Sequence, residues 1–287
     1  MKVPSIPVTV VIPVRNEEQN LGTCLSRLGR FAEVVVVDSS STDRTVDVAR
    51  EHGAEVINFE WNGKYPKKRN WFIMNHAIQT DWYLFLDADE WIDEKFADAL
   101  SKAISDPAIS GYWISYTNHF LGRRLKYGIT QRKLALFRAG SGLFERIEED
   151  RWSGLDMEIH EHPVIQGRVG EIPVRIHHDD KRGMRKFVSQ HVDYAAWEAH
   201  RYLLLRGDGK AVPRDALTER QKLKYRHLNS WWYPSAYFVL AFVIRRGFLD
   251  GWPGFAYAAM KFWYFTLVQT FIAEATAPKH SIAGEGA

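Results

Sequence analysis

Residues Trp82–Trp91 read WYLFLDADEW. Trp82 to Leu86 are apolar without a break, the pattern of a strand buried on both faces. Asp87, Asp89 and Glu90 then crowd three carboxylates into four positions. Like charges this close repel, and a carboxylate beside a buried strand loses hydration. The arrangement therefore demands a compensating positive charge. In an extended chain residues two apart face the same side. Asp87 and Asp89 are thus expected to address one ligand, with the small Ala88 leaving room. Glu90 is expected to point the other way and to cap or solvate the turn.

The segments before this stretch have the same form. VTVVI (Val8–Ile12), EVVVVD (Glu33–Asp38) and AEVINF (Ala54–Phe59) read as buried strands. Helices are expected between them: from an Asn16/Gln19 capping box through Leu28, from Ser41 or Thr42 to Gly53, and over Lys67–Gln79. Asp93 caps another after the fourth strand. Strands without alternation, separated by helices, predict a doubly wound α/β sheet. In such sheets ligands bind beyond the carboxyl ends of the strands. The residues there are Pro13–Glu17, Asp38–Asp43, Glu60–Arg69 and Asp87–Glu90, which together form one polar rim.

Asp38 ends a buried strand. Ser41 or Thr42 can cap the following helix, which leaves the Asp38 carboxylate for a base or ribose. Lys67, Lys68 and Arg69 stand at a helix start, where the dipole favours anions, and at least one is expected to touch phosphate. The chain has neither G-x-G-x-x-G after the first strand nor G-x-x-x-x-G-K-[ST] anywhere, so a glycine-rich phosphate cradle is absent. A divalent cation, Mg²⁺ or Mn²⁺, held by Asp87 and Asp89 is the expected substitute.

VVIPVRNEEQNLGTCL, VVVVDSSSTDRT, YPKKRNW and YLFLDADE, in this order, resemble the successive motifs of family 2 glycosyltransferases of the GT-A fold. The resemblance covers roughly residues 8 to 100. It is nearest to the branch of lipopolysaccharide-core and exopolysaccharide sugar transferases, whose later steps resemble His160-Glu161 and Gly247–Gly251. The resemblance implies a Rossmann-like, mostly parallel sheet and a nucleotide-sugar donor, usually a UDP-sugar. Pro13, Val14, Arg15, Asn16, Glu17 and Asp38 would hold base and ribose. Lys68, Arg69, Asp87 and Ala88 would lie at the donor, and Asp89 would bind the metal with Asp87 beside it. His177, in VRIHHDD, would be a third metal ligand; only one of two adjacent strand histidines can enter a site.

Inverting transfer needs a carboxylate to deprotonate the acceptor hydroxyl. DMEIHEHPV offers Asp156, Glu158 and Glu161. Glu161, matching the family's His-Glu step, is the expected base, and Glu158 is the alternative. EED at Glu148–Asp150 is only loosely like the family's more familiar Glu-Asp motif. HEH…HH lacks the helical spacing of a zinc site.

After Gly111 the pattern changes to alternating strands, GYWISYTN and KLALFR. A helix is expected from Gly183 to about Leu205, and beyond it the chain is basic and then strongly aromatic. The expected division is a catalytic domain over residues 1–182, with a nucleotide half to about 110 and an acceptor half from 111. A helical extension follows over 183–274, and a tail over 275–287. Trp231–Ile244 is too short to span a bilayer, and Trp252–Ile272 is interrupted by Lys261 and Gln269. Interrupted aromatic helices beside Arg245-Arg246 suit in-plane insertion at the cytoplasmic face of the inner membrane, where a lipid-linked glycan acceptor would lie. A lid packed on the domain, an oligomer interface and a true span are the other readings.

Of 287 residues 46% are hydrophobic and 25% charged, with a net charge of +3. That supports a sizeable core and gives no argument for nucleic acid. The one cysteine, Cys24, excludes an intrachain disulfide and is expected to be inert core. The first residues lack the pattern of a signal peptide. Two rival functions share these features. A sugar nucleotidyltransferase normally has a glycine-rich loop where PVRNEEQN stands. A non-catalytic sugar-nucleotide-binding subunit would not need Asp38, Asp87, Asp89 and Glu161 together.

Overall fold

The computed structural model describes residues 5–146, 155–157, 162–207 and 217–278. Its order begins β1 (Ile6–Val14), α1 (Glu18–Leu25), β2 (Phe31–Asp38), α2 (Thr45–Glu51), β3 (Glu55–Asn58), α3 (Lys68–Asn75), β4 (Trp82–Phe85), β5 (Glu90–Trp91) and α4 (Glu94–Ala103). It continues β6 (Ile109–Phe120), β7 (Arg123–Arg124), β8 (Gln131–Arg138), β9 (Gly142–Phe144), β10 (Pro163–Ile165) and β11 (Arg168–His178). Helices α5 (Gly183–Arg206), α6 (Glu219–His227), α7 (Tyr233–Val239) and α8 (Gly251–Thr276) follow. A π segment, Leu240–Ile244, and a 3-10 turn, Gly247–Asp250, join the last two.

The main sheet runs β3-β2-β1-β4-β8-β6-β11-β5. The first four strands are parallel, as the unbroken apolar runs require. β8 enters antiparallel between β4 and β6, and β11 returns parallel to β6. The expected α/β architecture with a helical C-terminal extension is what forms. β4 shows why its residues are all apolar. Trp82, Leu84 and Leu86 pack in the core under α1 and α4. Tyr83 and Phe85 pack on the opposite face with Phe72, Phe137 and Phe144. Cys24 is buried in the first of these cores. Asp93 caps α4 as expected, accepting from the Phe96 N–H at 2.9 Å.

Two expected caps are not made. Asn16 adopts φ +56° and its amide oxygen takes the Thr42 N–H at 2.8 Å. Ser41 gives its hydroxyl to Asp38 and takes the Asn16 N–H at 2.8 Å. The polar residues expected to cap locally instead tie the β1 and β2 loops to each other, and both helices start later.

The C-terminal helices build a second core from Tyr202, Tyr225, Leu228, Tyr264, Phe265, Val268 and Ile272. α8 lies along α5 and α7. Among the described residues no helix is long and apolar enough to cross a membrane. Gly247–Gly251 is a packing device. A Cβ on Gly254 would stand 2.2 Å from the Gly247 carbonyl oxygen, so α8 and the 3-10 turn meet only through glycine. Asp250 accepts the N–H groups of Lys126 and Tyr127 at 2.9–3.0 Å, pinning the loop between β7 and β8 to the helices.

Candidate active site

The acidic stretch is a turn, not a continued strand. The Glu90 N–H donates to the Asp87 carbonyl at 2.9 Å, and the Glu90 carboxylate accepts the Asp87 N–H at 2.9 Å. Asp87 and Asp89 therefore do not share a strand face. Each has its own partners. Asp87 takes Arg69 at 2.5 Å on one oxygen and Lys133 at 3.1 Å on the other. Burial would raise its pKa, but Lys133 and Arg69 outweigh it and hold the carboxyl well below the usual range. Asp87 is paired with Arg69 and Lys133, and its side chain, 34% exposed, still reaches the cavity.

Glu90 is the main surprise of the turn. Its side chain is 2% exposed and ion-paired with Lys133. It caps the turn through the Asp87 N–H, as expected, but is buried where solvation was the alternative. Burial, working against Lys133, pushes its carboxyl up to about 7. Two carboxylates, one ammonium and one guanidinium thus form a network that runs from the buried Glu90 to the cavity wall. Lys133 comes from β8, a strand that the sequence shows only as alternating and polar at its start.

Asp89 faces the site. His178 Nε2 lies 3.5 Å from its carboxylate. Burial raises the Asp89 pKa against the pull of His178, and Asp87 adds to the rise. The expected ligand His177 points away. It stacks on Trp91 at 3.7 Å and meets His119 at 3.0 Å. Strand register decides this. β11 pairs with β5 so that His177 lies opposite Trp91 and His178 opposite Glu90, and a one-residue difference reverses the face. Among the described residues no three His, Cys, Asp or Glu side chains form a cage. Mg²⁺ is commonly held by one or two carboxylates with substrate phosphates as further ligands. A half-buried Asp89, with a raised pKa that a cation would relieve, offers one such carboxylate, with the His178 imidazole beside it.

Glu17, from the β1 loop, is bonded to Arg182 at the start of α5 and takes the Asn20 amide at 2.9 Å. Asp180 holds the same guanidinium at 2.8 Å. Burial raises the Glu17 carboxyl to about 7 in spite of Arg182. Asp180 is held at about 2, burial being outweighed by its bonds to Arg182. Arg182 joins the first crossover to the helical extension and carries no motif that would announce it.

Lys68 departs from expectation. Its side chain is 2% exposed, its ammonium donates to the Val14 carbonyl at 2.8 Å, and Asp156 stands 3.3 Å away. It is a strut between β1 and α3 and does not reach the cavity. Burial lowers its pKa against Asp156. Asp38 is buried, and both its oxygens accept from Ser41, at 2.5 and 3.0 Å. It is not free in the sense expected, although a carboxylate has about four acceptor sites. Arg15 and Asn16 are exposed.

One cavity of about 1560 Å³ gathers the remainder. Pro13, Glu17, Arg69, Asp87, Ala88 and Asp89 line it; Val14, Arg15, Asn16, Asp38, Lys68 and His177 do not. His178, Arg182 and Lys133 line it as well. Glu158 and Glu161 lie outside the described residues, as do Glu148–Asp150. Met157 and His162, on either side of the two candidate bases in sequence, are both wall residues. Residues of helices α5 to α8 line the same cavity.

The family model for glycosyl transferase family 2 matches residues 9–160. The lipopolysaccharide core biosynthesis glycosyltransferase LpsC of Rhizobium meliloti is 30% identical over 180 residues, 58% of this chain and 61% of LpsC. The chain thus spans about three fifths of that curated relative. An uncharacterized glycosyltransferase of Rickettsia felis is 24% identical over 264 residues, covering 86% of this chain and 83% of its own length. Among solved structures, S. aureus TarS 1-349 in complex with UDP-GlcNAc aligns over 93% of this chain and 91% of its own, at 15% identity and a TM-score of 0.47. The family model takes in β1, β2 and β4 with the acidic turn after them, and more than half of the chain, so this protein belongs to glycosyl transferase family 2.

Proposed function

We propose that the protein is a metal-dependent, inverting glycosyltransferase that moves a hexose from a nucleotide sugar, a UDP-sugar, to a lipid-linked glycan acceptor in envelope or exopolysaccharide biosynthesis. One observation carries this reading. The cavity gathers Asp89 and His178 with Glu17, Arg69 and Arg182, and is also lined by Met157 and His162, the described residues nearest in sequence to the two candidate bases.

Pro13 and Glu17 of the β1 loop, which line the cavity, lie beside base and ribose in this reading, and the diphosphate lies toward Asp89. Asp89 and His178 would hold Mg²⁺ or Mn²⁺, which when bound supplies positive charge against the leaving diphosphate. Arg69 and Lys133 fix the Asp87 carboxylate so that the turn keeps its shape before substrate arrives. Glu161, or Glu158, takes the proton from the acceptor hydroxyl. That oxygen then bonds to the anomeric carbon from the face opposite the nucleotide. The bond from carbon to diphosphate oxygen breaks, and the electron pair leaves with the nucleoside diphosphate. One displacement inverts the centre, unlike the two-step retaining route of glycosidases.

Membrane association is supported by the outer face of the extension. Trp231 is 86% exposed, Trp252 69% and Ile244 65%, with Phe248 and Leu249 about half exposed. Arg245 and Arg246 sit among them. Tryptophan and arginine around aliphatic tips suit the headgroup region of an anionic leaflet. The same helices bury their other face in the second core, so the packed-lid reading and the interfacial reading describe two sides of one layer.

Incubating the protein with membranes, Mn²⁺ and a panel of nucleotide sugars, and measuring released nucleoside diphosphate, tests the reaction. Release that needs both membranes and metal is expected. Pyrophosphate in place of nucleoside diphosphate would mean a nucleotidyltransferase.

A further inference from the structure

The charges on the cavity wall are segregated. Its described carboxylates are Glu17, Asp87, Asp89, Asp179 and Asp180, all at strand ends or just beyond. Helices α5 to α8 contribute none. They present instead tyrosines and cations. Lys224 is neutralised by Glu198 at 2.9 Å, and Arg220 donates to the Thr130 carbonyl at 3.3 Å.

Lys261 differs from both. Tyr257, Lys261 and Phe265 lie on successive turns of α8 and all line the cavity. Among the described residues no carboxylate or hydrogen-bond acceptor reaches the Lys261 ammonium. Its neighbours are the rings of Tyr257 and Tyr264, with centroids at 5.5 and 5.6 Å. Burial alone, with no neighbouring charge, lowers its pKa to about 8. The ammonium is half-buried at the cavity wall and lies over two rings, with no anion among the described residues beside it. A lysine so placed can pair with an anion that enters the cavity, which a leucine or methionine there could not do. Tyr257 lines the cavity beside it, and Tyr264 backs it from the second core.

We propose that Lys261, flanked by Tyr257 and Tyr264, is the subsite for a negatively charged group, a carboxylate or a phosphate, carried by the acceptor saccharide. The proposal rests on reading this cavity as that of a glycosyltransferase, and it adds the chemical class of the acceptor.

The test uses the full chain and three probes: glucose 6-phosphate, glucuronate and glucose. ¹³C NMR of the reductively methylated protein reads the lysine signals, and Lys261→Arg identifies the one that disappears. That signal should titrate near 8 and shift with glucose 6-phosphate or glucuronate but not with glucose. Which anion acts separates phosphate from carboxylate. In calorimetry, Lys261→Met should weaken the effective anion by about tenfold or more, the size of a charged hydrogen bond, and Lys261→Arg should retain most of it. A Lys261 signal unmoved by both anions, or anion binding equal in wild type and Lys261→Met, overturns the proposal. UDP binding with Mn²⁺ is measured on each protein. If Lys261→Met loses it through misfolding, the wild-type signal decides alone. If wild type lacks it while the anion still binds Lys261, the glycosyltransferase reading has failed and the anion site has not.

Discussion

Replacing Lys133 by methionine removes the ammonium that serves both Asp87 and Glu90. Asp87 keeps Arg69; Glu90, 2% exposed, loses the cation it is paired with. Breaking a buried pair from one side costs about 3–5 kcal/mol. Glu90 can relieve part of that by taking a proton. Its carboxyl is already up at about 7 against an ordinary 4.5, and without Lys133 it moves higher. The folded chain then carries a proton that the unfolded chain releases. Stability is therefore fully present below 4.5 and falls as pH rises, by up to ~1.4 kcal/mol per unit, until the folded value is passed. In wild type that loss ends near 7; in the variant it continues. Between about pH 6 and pH 8 the variant should lose ~1.4 kcal/mol more than wild type. Glu17, also raised to about 7, contributes equally to both and cancels. The assay is urea unfolding followed by tryptophan fluorescence at several pH values. Adding Glu90→Gln to the variant should abolish the extra slope. Parallel stability curves for wild type and Lys133→Met would refute the reasoning, because Glu90 would then not be a buried charge held by Lys133.

Asp89→Asn should abolish the Mn²⁺-dependent part of UDP binding, and unchanged affinity in calorimetry would remove Asp89 from the metal site. Glu161→Gln should keep donor binding and lower turnover by about 10²- to 10⁴-fold; retained turnover would move the base to Glu158. Replacing both Ile244 and Trp252 by aspartate should reduce pelleting with anionic liposomes by at least about tenfold, since each large apolar side chain is worth about 1.5–3 kcal/mol on burial. Equal pelleting would mean that this face does not enter the bilayer.

The order of elements was legible because it rests on local patterns. Unbroken apolar runs such as Val8–Ile12 mean strands covered on both sides, and the polar residues after them must gather at one edge of a parallel sheet. That reasoning located Asp87, Asp89, Glu17 and Arg69, all of which line the cavity. It failed where a side chain answers to a distant neighbour. Lys68 looked like a phosphate ligand because it opens a helix, but the Val14 carbonyl claims it. Asn16 and Ser41 looked like helix caps, but they bond across two loops.

The amino-acid sequence by itself therefore determined the α/β frame, the rim and the place of the acidic cluster on it, since periodicity and motif order are properties of neighbours along the chain. Only the tertiary structure decided which charges neutralise which. Lys133 reaches Glu90 because β8 enters beside β4. His178 meets Asp89 because the register of β11 on β5 turns His177 to the other face. Lys261 is left facing a cavity because α8 folds back over the strand ends. Long-range register and packing set these contacts, and a Coulomb interaction depends on distance in space, whatever the separation in sequence.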